Sequence, residues 1–137
     1  MLEHNWIFDT AFANYLDRIK IKITGTKPTQ YLDGEYEDRI GRITGAQEIP
    51  GVYEQTARVR FDKDGEQRSI ITRYIEPVKP SYVGEEVLVL GGKQKGKALV
   101  VRETDSDETV VSSRANPSDI EKLPTEMVVL LYEAGAS

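Results

Sequence analysis

The side chains of this chain that could do chemistry are paired carboxylates and lysines set among glycines. Glu35, Glu37 and Asp38 cluster in one predicted loop, and Asp105, Asp107 and Glu108 cluster in another. Paired carboxylates can act as acid and base, or hold Mg²⁺ or Ca²⁺ through hard oxygen ligands. The Asp105-Ser106-Asp107-Glu108 run lacks the central Gly and terminal Glu of an EF-hand loop, and acidic hairpin tips ordinarily serve solubility. Gly91-Gly92-Lys93-Gln94-Lys95-Gly96-Lys97 resembles a phosphate loop, but Ala98 stands where that loop needs Ser or Thr. It also lies between two predicted strands, whereas a phosphate loop opens a helix. The chain has no Cys and a single His, His4. Disulfides, cysteine zinc sites, His-based triads and His₂ metal sites are therefore excluded. The reading is a non-enzyme with no catalytic residue, no cofactor and no metal.

What is left is charge. Lys20, Lys22, Arg39, Arg42, Arg58 and Arg60 alternate with apolar residues, and Lys93, Lys95 and Lys97 sit on the Gly-rich loop. Such cations can meet phosphates or an acidic protein face. Tyr31, Tyr36 and Tyr53, in predicted loops, are the candidates for stacking on bases. The 137 residues carry 18 Lys plus Arg against 23 Asp plus Glu, a net charge of −5, so total charge does not drive nucleic-acid affinity. The excess of acid is uneven. Residues 1–79 hold 12 basic and 13 acidic residues, and residues 80–137 hold 6 and 10. The first half is thus the expected nucleic-acid contact and the second the expected protein contact.

Short β-branched runs position these charges. Ile19-Lys20-Ile21-Lys22-Ile23 alternates strictly, as do Ala57, Val59 and Phe61 with Arg58, Arg60 and Asp62. Asp62-Lys63-Asp64-Gly65 supplies the positive φ of a tight hairpin. Arg39-Ile40-Gly41-Arg42-Ile43 reads as a strand kinked or closely approached at its Gly. Arg68–Ile71 returns, and Thr72–Val78 closes the unit. The alternation sends Ile19, Ile21, Ile23, Ile40, Ile43, Val59 and Phe61 inward and the basic residues outward.

The second half repeats this order. Glu86–Leu90, Lys97–Val101 and Glu108–Ser112 correspond to the Ile19, Arg39 and Ala57 runs, at offsets that fall as the loops shorten. Ser118–Leu123 reads as a capped helical turn, and Glu126–Tyr132 as a last strand. Pro77 and Pro80 stiffen the connection, and units this small gain from mutual contact, so a preferred orientation of the two is expected. Phe8, Phe12, Tyr15 and Leu16 form one helical stripe, capped by Asp9 or Thr10 and preceded by Trp6. Met1–His4 are set aside from the fold reading. The organisation is a leader over 1–16 packed on the first barrel, a first barrel over 17–79 and a second, shorter barrel over 80–137. No apolar run approaches the roughly 20 residues of a membrane span.

Tyr74-Ile75-Glu76-Pro77-Val78 closing the first unit, together with the strand, Gly-containing strand, strand order, resembles a KOW domain, a five-stranded SH3-like barrel. A longer Pro-closed unit followed by a shorter one is similar to the C-terminal tandem KOW region of eukaryotic NusG-type transcription elongation factors, the large subunit of DSIF. The stretches that carry it are Asp17–Ile23, Tyr31–Ile43, Ile75–Pro80 and Glu86–Gly92, with Gly96 near the family's glycine. The chain departs from the pattern at Lys97-Ala98 after Gly96 and in the long Ile49–Tyr53 loop. The resemblance implies an all-β fold of two tandem SH3-like (KOW) barrels with a short N-terminal helical segment. It implies a nuclear, non-catalytic module, monomeric when isolated, that docks on RNA polymerase II or elongation-complex proteins, with nascent RNA a further candidate partner that the resemblance leaves open. The alternative is a sequence-independent RNA-binding module of ribosomal or RNP type.

Overall fold

The computed structural model describes residues 5–133, so His4 and the rest of Met1–His4 lie outside the described residues. Ten strands form two antiparallel five-stranded sheets. The first contains β1 (Lys20–Ile23), β2 (Ile40–Gly45), β3 (Thr56–Phe61), β4 (Gln67–Ile71) and β5 (Ile75–Pro77), in the order β4-β3-β2-β1-β5. The second contains β6 (Glu86–Val89), β7 (Ala98–Thr104), β8 (Glu108–Ser112), β9 (Ile120–Pro124) and β10 (Val128–Leu130), in the order β10-β6-β7-β8-β9. The fold is all-β, as the alternating runs predict. Among the described residues no ladder joins β4 to β5 or β9 to β10, so each sheet is open at its edges. No helix among the described residues is long and apolar enough to cross a membrane.

The two sheets are topological copies, down to their irregularities. The β2–β3 register shifts between Ile43 and Gly45, and the β7–β8 register shifts between Val101 and Glu103. A single 3₁₀ turn, Thr72–Tyr74 or Thr125–Met127, joins the fourth strand to the fifth in each. One expectation fails here: Ser118–Leu123 is not a helical turn. Ile120–Pro124 pairs with β8 at five positions, from Ser112↔Ile120 to Glu108↔Pro124. The polar residues ahead of it close a turn instead, with the Ser118 hydroxyl donating to Asn116 Oδ1 and the Asn116 amide donating to Ser113 Oγ. The expected last strand, Glu126–Tyr132, is shortened to Val128–Leu130 because its first residues form the 3₁₀ turn.

Ile19, Ile21 and Ile23 are buried, as are Ala57, Val59 and Phe61 on β3, while Arg58 and Arg60 are exposed. On β2 the inward positions are Gly41 and Ile43, and Ile40 faces outward, partly covered. Ile40 and Ile43 are three residues apart, so a period of two cannot send both inward. Gly41 fills the place instead because a Cβ there would lie 2.5 Å from the Arg60 carbonyl oxygen.

The leader forms two 3₁₀ segments, Trp6–Phe8 and Thr10–Arg18. Asp9 caps the second by accepting from the Ala11 amide at 2.9 Å. Phe12 is buried in an edge-on contact with Trp6, and Phe8, Tyr15 and Leu16 pack against the same core. That core is shared. Leu88, Leu90, Val129 and Leu131 from the second sheet join it, leaving Val87, Val101, Val111 and Val128 as the second sheet's own cluster. Hydrogen bonds cross at the same place: Leu130 donates to Val78 at 2.8 Å, and Tyr132 donates to Arg18 at 2.7 Å. Ile19 and Leu131 form an isolated bridge, and Arg18 pairs with Glu86. The halves thus lean on each other, as small burial requires.

Lys79, in the connection, donates to the carbonyls of Glu126 and Val128, both at 3.0 Å. Burial pushes its ammonium from 10.5 down to about 8, opposed by the charges of Glu126 and Glu76. Between those two values the unfolded chain binds the extra proton, so stability must rise with pH across that window. Thermal melts from pH 8 to pH 10 should show this rise, and Lys79→Gln should flatten it.

Candidate binding face

Outward positions on neighbouring strands fall opposite one another, and here three of them are basic. Lys20 on β1 pairs in register with Arg42 on β2, and Arg42 pairs with Arg60 on β3. Like charges set directly opposite destabilise a sheet, so such a row needs compensation. Among the described residues, Tyr132 and Asp62 contribute to it. The Tyr132 ring lies under both cations, 4.1 Å from the Arg42 guanidinium and 5.4 Å from Lys20 Nζ. Its hydroxyl donates to the Asp62 carboxylate, whose two oxygens are each 2.7 Å away. Burial, the hydrogen bond to Asp62 and the charge of Asp62 raise the Tyr132 pKa well above its ordinary range, with Arg42 opposing. Tyr132 therefore stays a neutral donor at physiological pH.

Tyr132 separates two open grooves. One, of about 910 Å³, runs between the sheets past Arg18, Lys20, Arg114 and Leu130. The other, of about 550 Å³, is lined by Arg42, Arg60, Asp62, Asp64 and Gly65. Gly65, at φ +74°, makes the hairpin turn that carries Asp62 and Asp64 to this edge.

The remaining basic candidates divide. Lys22 lies on the same face as Lys20, opposite Ile40 and Glu76. Arg58 is exposed two residues from Arg60, with its Nε donating to Gln67 at 3.4 Å. Arg39 is not part of the row. It turns to the hairpin tip, 3.8 Å from Asp64 and 3.9 Å from Glu66, and stacks on Tyr36. Lys93, Lys95 and Lys97 form a separate group on the β6–β7 loop. Lys95 pairs with Asp9 at the leader's cap, and the hydrogen bond from Lys95 is the main cause of that carboxyl's lowered pKa. Gly96 sits so close to the leader that a Cβ would approach the Ala11 carbonyl to 3.0 Å. Lys93 and Lys97 are exposed.

Two of the three residues of the expected stacking platform are engaged by other rings. Tyr31 stacks on Tyr74 at 4.3 Å and accepts from the Ile71 amide. Tyr36 is buried on Phe61, with its hydroxyl donating to Glu66 at 2.6 Å. Tyr53 alone is free, at 96% exposure. The acidic loops hold turns. Glu37 accepts from the Thr26 amide and hydroxyl, which lowers its pKa, and Asp105 accepts from the amides of Asp107 and Glu108. Among the described residues no group of three His, Cys, Asp or Glu side chains is placed to hold a metal ion.

The sequence reading missed Tyr132 and Asp62 as members of the site. They are 70 residues apart and meet only because the second sheet docks against the first.

No family model matches the chain, and no curated protein does. Among solved structures, the chain is similar to the crystal structure of the SHH1 SAWADEE domain in complex with an H3K9me3 peptide. The identity is 13% and the TM-score 0.28, covering 84% of this chain and 97% of that one. A superposition at that score does not establish a common fold. The face itself carries three cations in register, an aromatic beneath two of them and two grooves alongside.

Proposed function

We propose that the chain is a non-catalytic tandem KOW-type binding module of a nuclear transcription elongation factor, docking on RNA polymerase II or its associated elongation proteins. The carrying observation is the Lys20–Arg42–Arg60 row, three cations in register on one outward face, a charge pattern complementary to an acidic protein surface. The topological duplication supports the tandem-module part of the reading, with the same strand order and the same 3₁₀ turn in both halves. A protein partner is favoured over RNA. Of the three candidate stacking tyrosines, Tyr36 is buried and the half-buried Tyr31 is stacked on Tyr74, and the Tyr132 ring is occupied by Lys20 and Arg42.

The test is capture of purified RNA polymerase II elongation complexes by the full chain, compared with a variant carrying Arg42→Gln and Arg60→Gln. Charges at the rim of an interface act mainly on encounter rate and salt dependence, so capture should weaken about tenfold at 0.1 M salt and less at higher salt. The melting temperature should change little, since Arg60 is exposed and Arg42 half-buried. Equal capture by both proteins would remove the row from the docking face. Tight binding of single-stranded RNA, falling steeply with salt, would favour the ribosomal or RNP-type alternative.

A further inference from the structure

The groove beside Tyr132 already contains a carboxylate, and it belongs to the chain. Asp62 follows β3 directly and projects from the hairpin into the space lined by Arg42, Arg60 and Tyr132. Both its oxygens lie 2.7 Å from the Tyr132 hydroxyl. Of the described carboxylates, it is the one that the Tyr132 hydroxyl meets. Its neighbour Asp64 also lines this groove but is held by other groups, accepting from the Glu66 amide at 2.9 Å and pairing with Arg39 at 3.8 Å. The two residues share one loop and one charge but do different jobs. Asp64 shapes the turn at the groove's wall, and Asp62 takes the Tyr132 hydroxyl.

We infer that this groove is a carboxylate-binding subsite, occupied by Asp62 in the free chain and taken over by an Asp or Glu side chain of the partner when the module docks. The inference rests on the proposed docking face and names what that face recognises: an acidic protein segment with one carboxylate seated on Tyr132 between Arg42 and Arg60. The exchange conserves charge in the groove and reuses the Tyr132 hydrogen bond. Its cost is the displacement of Asp62 into water, which the exposed hairpin tip allows. A polyanion that merely sensed net charge would have no reason to distinguish Asp62 from Asp64.

That difference is the test. The full chain, Asp62→Asn and Asp64→Asn are titrated with poly-L-glutamate and, separately, with single-stranded oligouridine. Both variants gain the same net charge, and both Asn side chains keep an oxygen acceptor for the local hydrogen bonds. The expected result is that Asp62→Asn binds poly-L-glutamate about three- to tenfold more tightly than the parent at about 0.05 M salt, with the gain shrinking as salt rises. Asp64→Asn should gain distinctly less. Amide spectra of the parent should show Tyr132 and Asp62 shifting together as the polymer is added. Equal gains from the two variants, or none from Asp62→Asn, would overturn the subsite. A larger gain for oligouridine than for poly-L-glutamate would overturn the assignment to an acidic protein segment. Adding Arg42→Gln and Arg60→Gln separates this inference from the docking face beneath it. If those changes abolish binding while Asp62→Asn has no effect, the face stands and the subsite falls. If they have no effect either, both fall.

Discussion

Val59→Asp should leave the first sheet unfolded, whereas Arg58→Asp, one position away, should fold normally. Val59 is fully buried on β3, between Ala57 and Phe61 on the inward face, and pairs in register with Ile43 and Arg68. A carboxylate there would be set among the buried apolar side chains of the first sheet's core. An unpaired buried charge costs several kcal/mol, comparable to the whole stability of a domain this size. The shared core extends the consequence, because Leu88, Leu90, Val129 and Leu131 pack into the same cluster. Loss of the first sheet should therefore lower the melting temperature of the second. Arg58 points to solvent, and its replacement loses only the long contact to Gln67, a change within about 0.5 kcal/mol. Near-UV circular dichroism and amide dispersion separate the two outcomes. The opposite pattern would mean that β3 presents its other face to the core.

Gly41→Val should carry the second large effect, through sterics and not polarity. The built Cβ lies 2.5 Å from the Arg60 carbonyl oxygen, 3.0 Å from Val59 Cγ1 and 3.2 Å from the Arg60 carbonyl carbon. Two of these are backbone atoms of the neighbouring strand and cannot rotate away. Overpacking of this kind costs about 1–3 kcal/mol even where side chains can adjust, and β2 must separate from β3 where they cannot. Because Arg42 and Arg60 face each other one position along, the same displacement should splay the basic row and weaken partner capture. Gly45→Ala is the control, since its Cβ would meet only Arg58 Cβ at an ordinary 3.8 Å. Denaturant midpoints should fall sharply for Gly41→Val and stay nearly unchanged for Gly45→Ala.

Both predictions concern strands whose period of two could be read from the residues. Ile19, Ile21 and Ile23, and Ala57, Val59 and Phe61, announce their buried faces because nothing nonlocal competes with the alternation. Gly41 was legible as a close approach, but not as the residue that takes the inward place from Ile40. That exchange depends on where the β3 backbone lies. β9 was misread because Ser118, Asp119 and Glu121 look like local helix-cap chemistry, and its pairing to β8 is not visible over a short window. The repeat did contain the answer. β9 follows β4 by 53 residues (120 less 67), and the 3₁₀ turn and last strand follow theirs by the same interval. Carried one element further, the repeat assigns a strand where the local pattern suggests a turn. Of the candidate site, Lys20, Arg42 and Arg60 were legible as outward residues. Their in-register meeting depends on strand pairing, and Tyr132 and Asp62 depend on the docking of one sheet against the other.

On the proposed reading, the outer face of β1–β3, capped by Tyr132, is the surface that meets the partner. Amide chemical-shift mapping of the full chain tests it most directly, with fragments of RNA polymerase II and its associated elongation factors as titrants and single-stranded RNA in parallel. The expected result is a contiguous set of shifts at Lys20, Arg42, Arg60, Asp62 and Tyr132 on adding a protein fragment, with weaker and salt-sensitive shifts on adding RNA. Shifts confined to the Lys93–Lys97 loop or to β9, with the row unmoved, would contradict it.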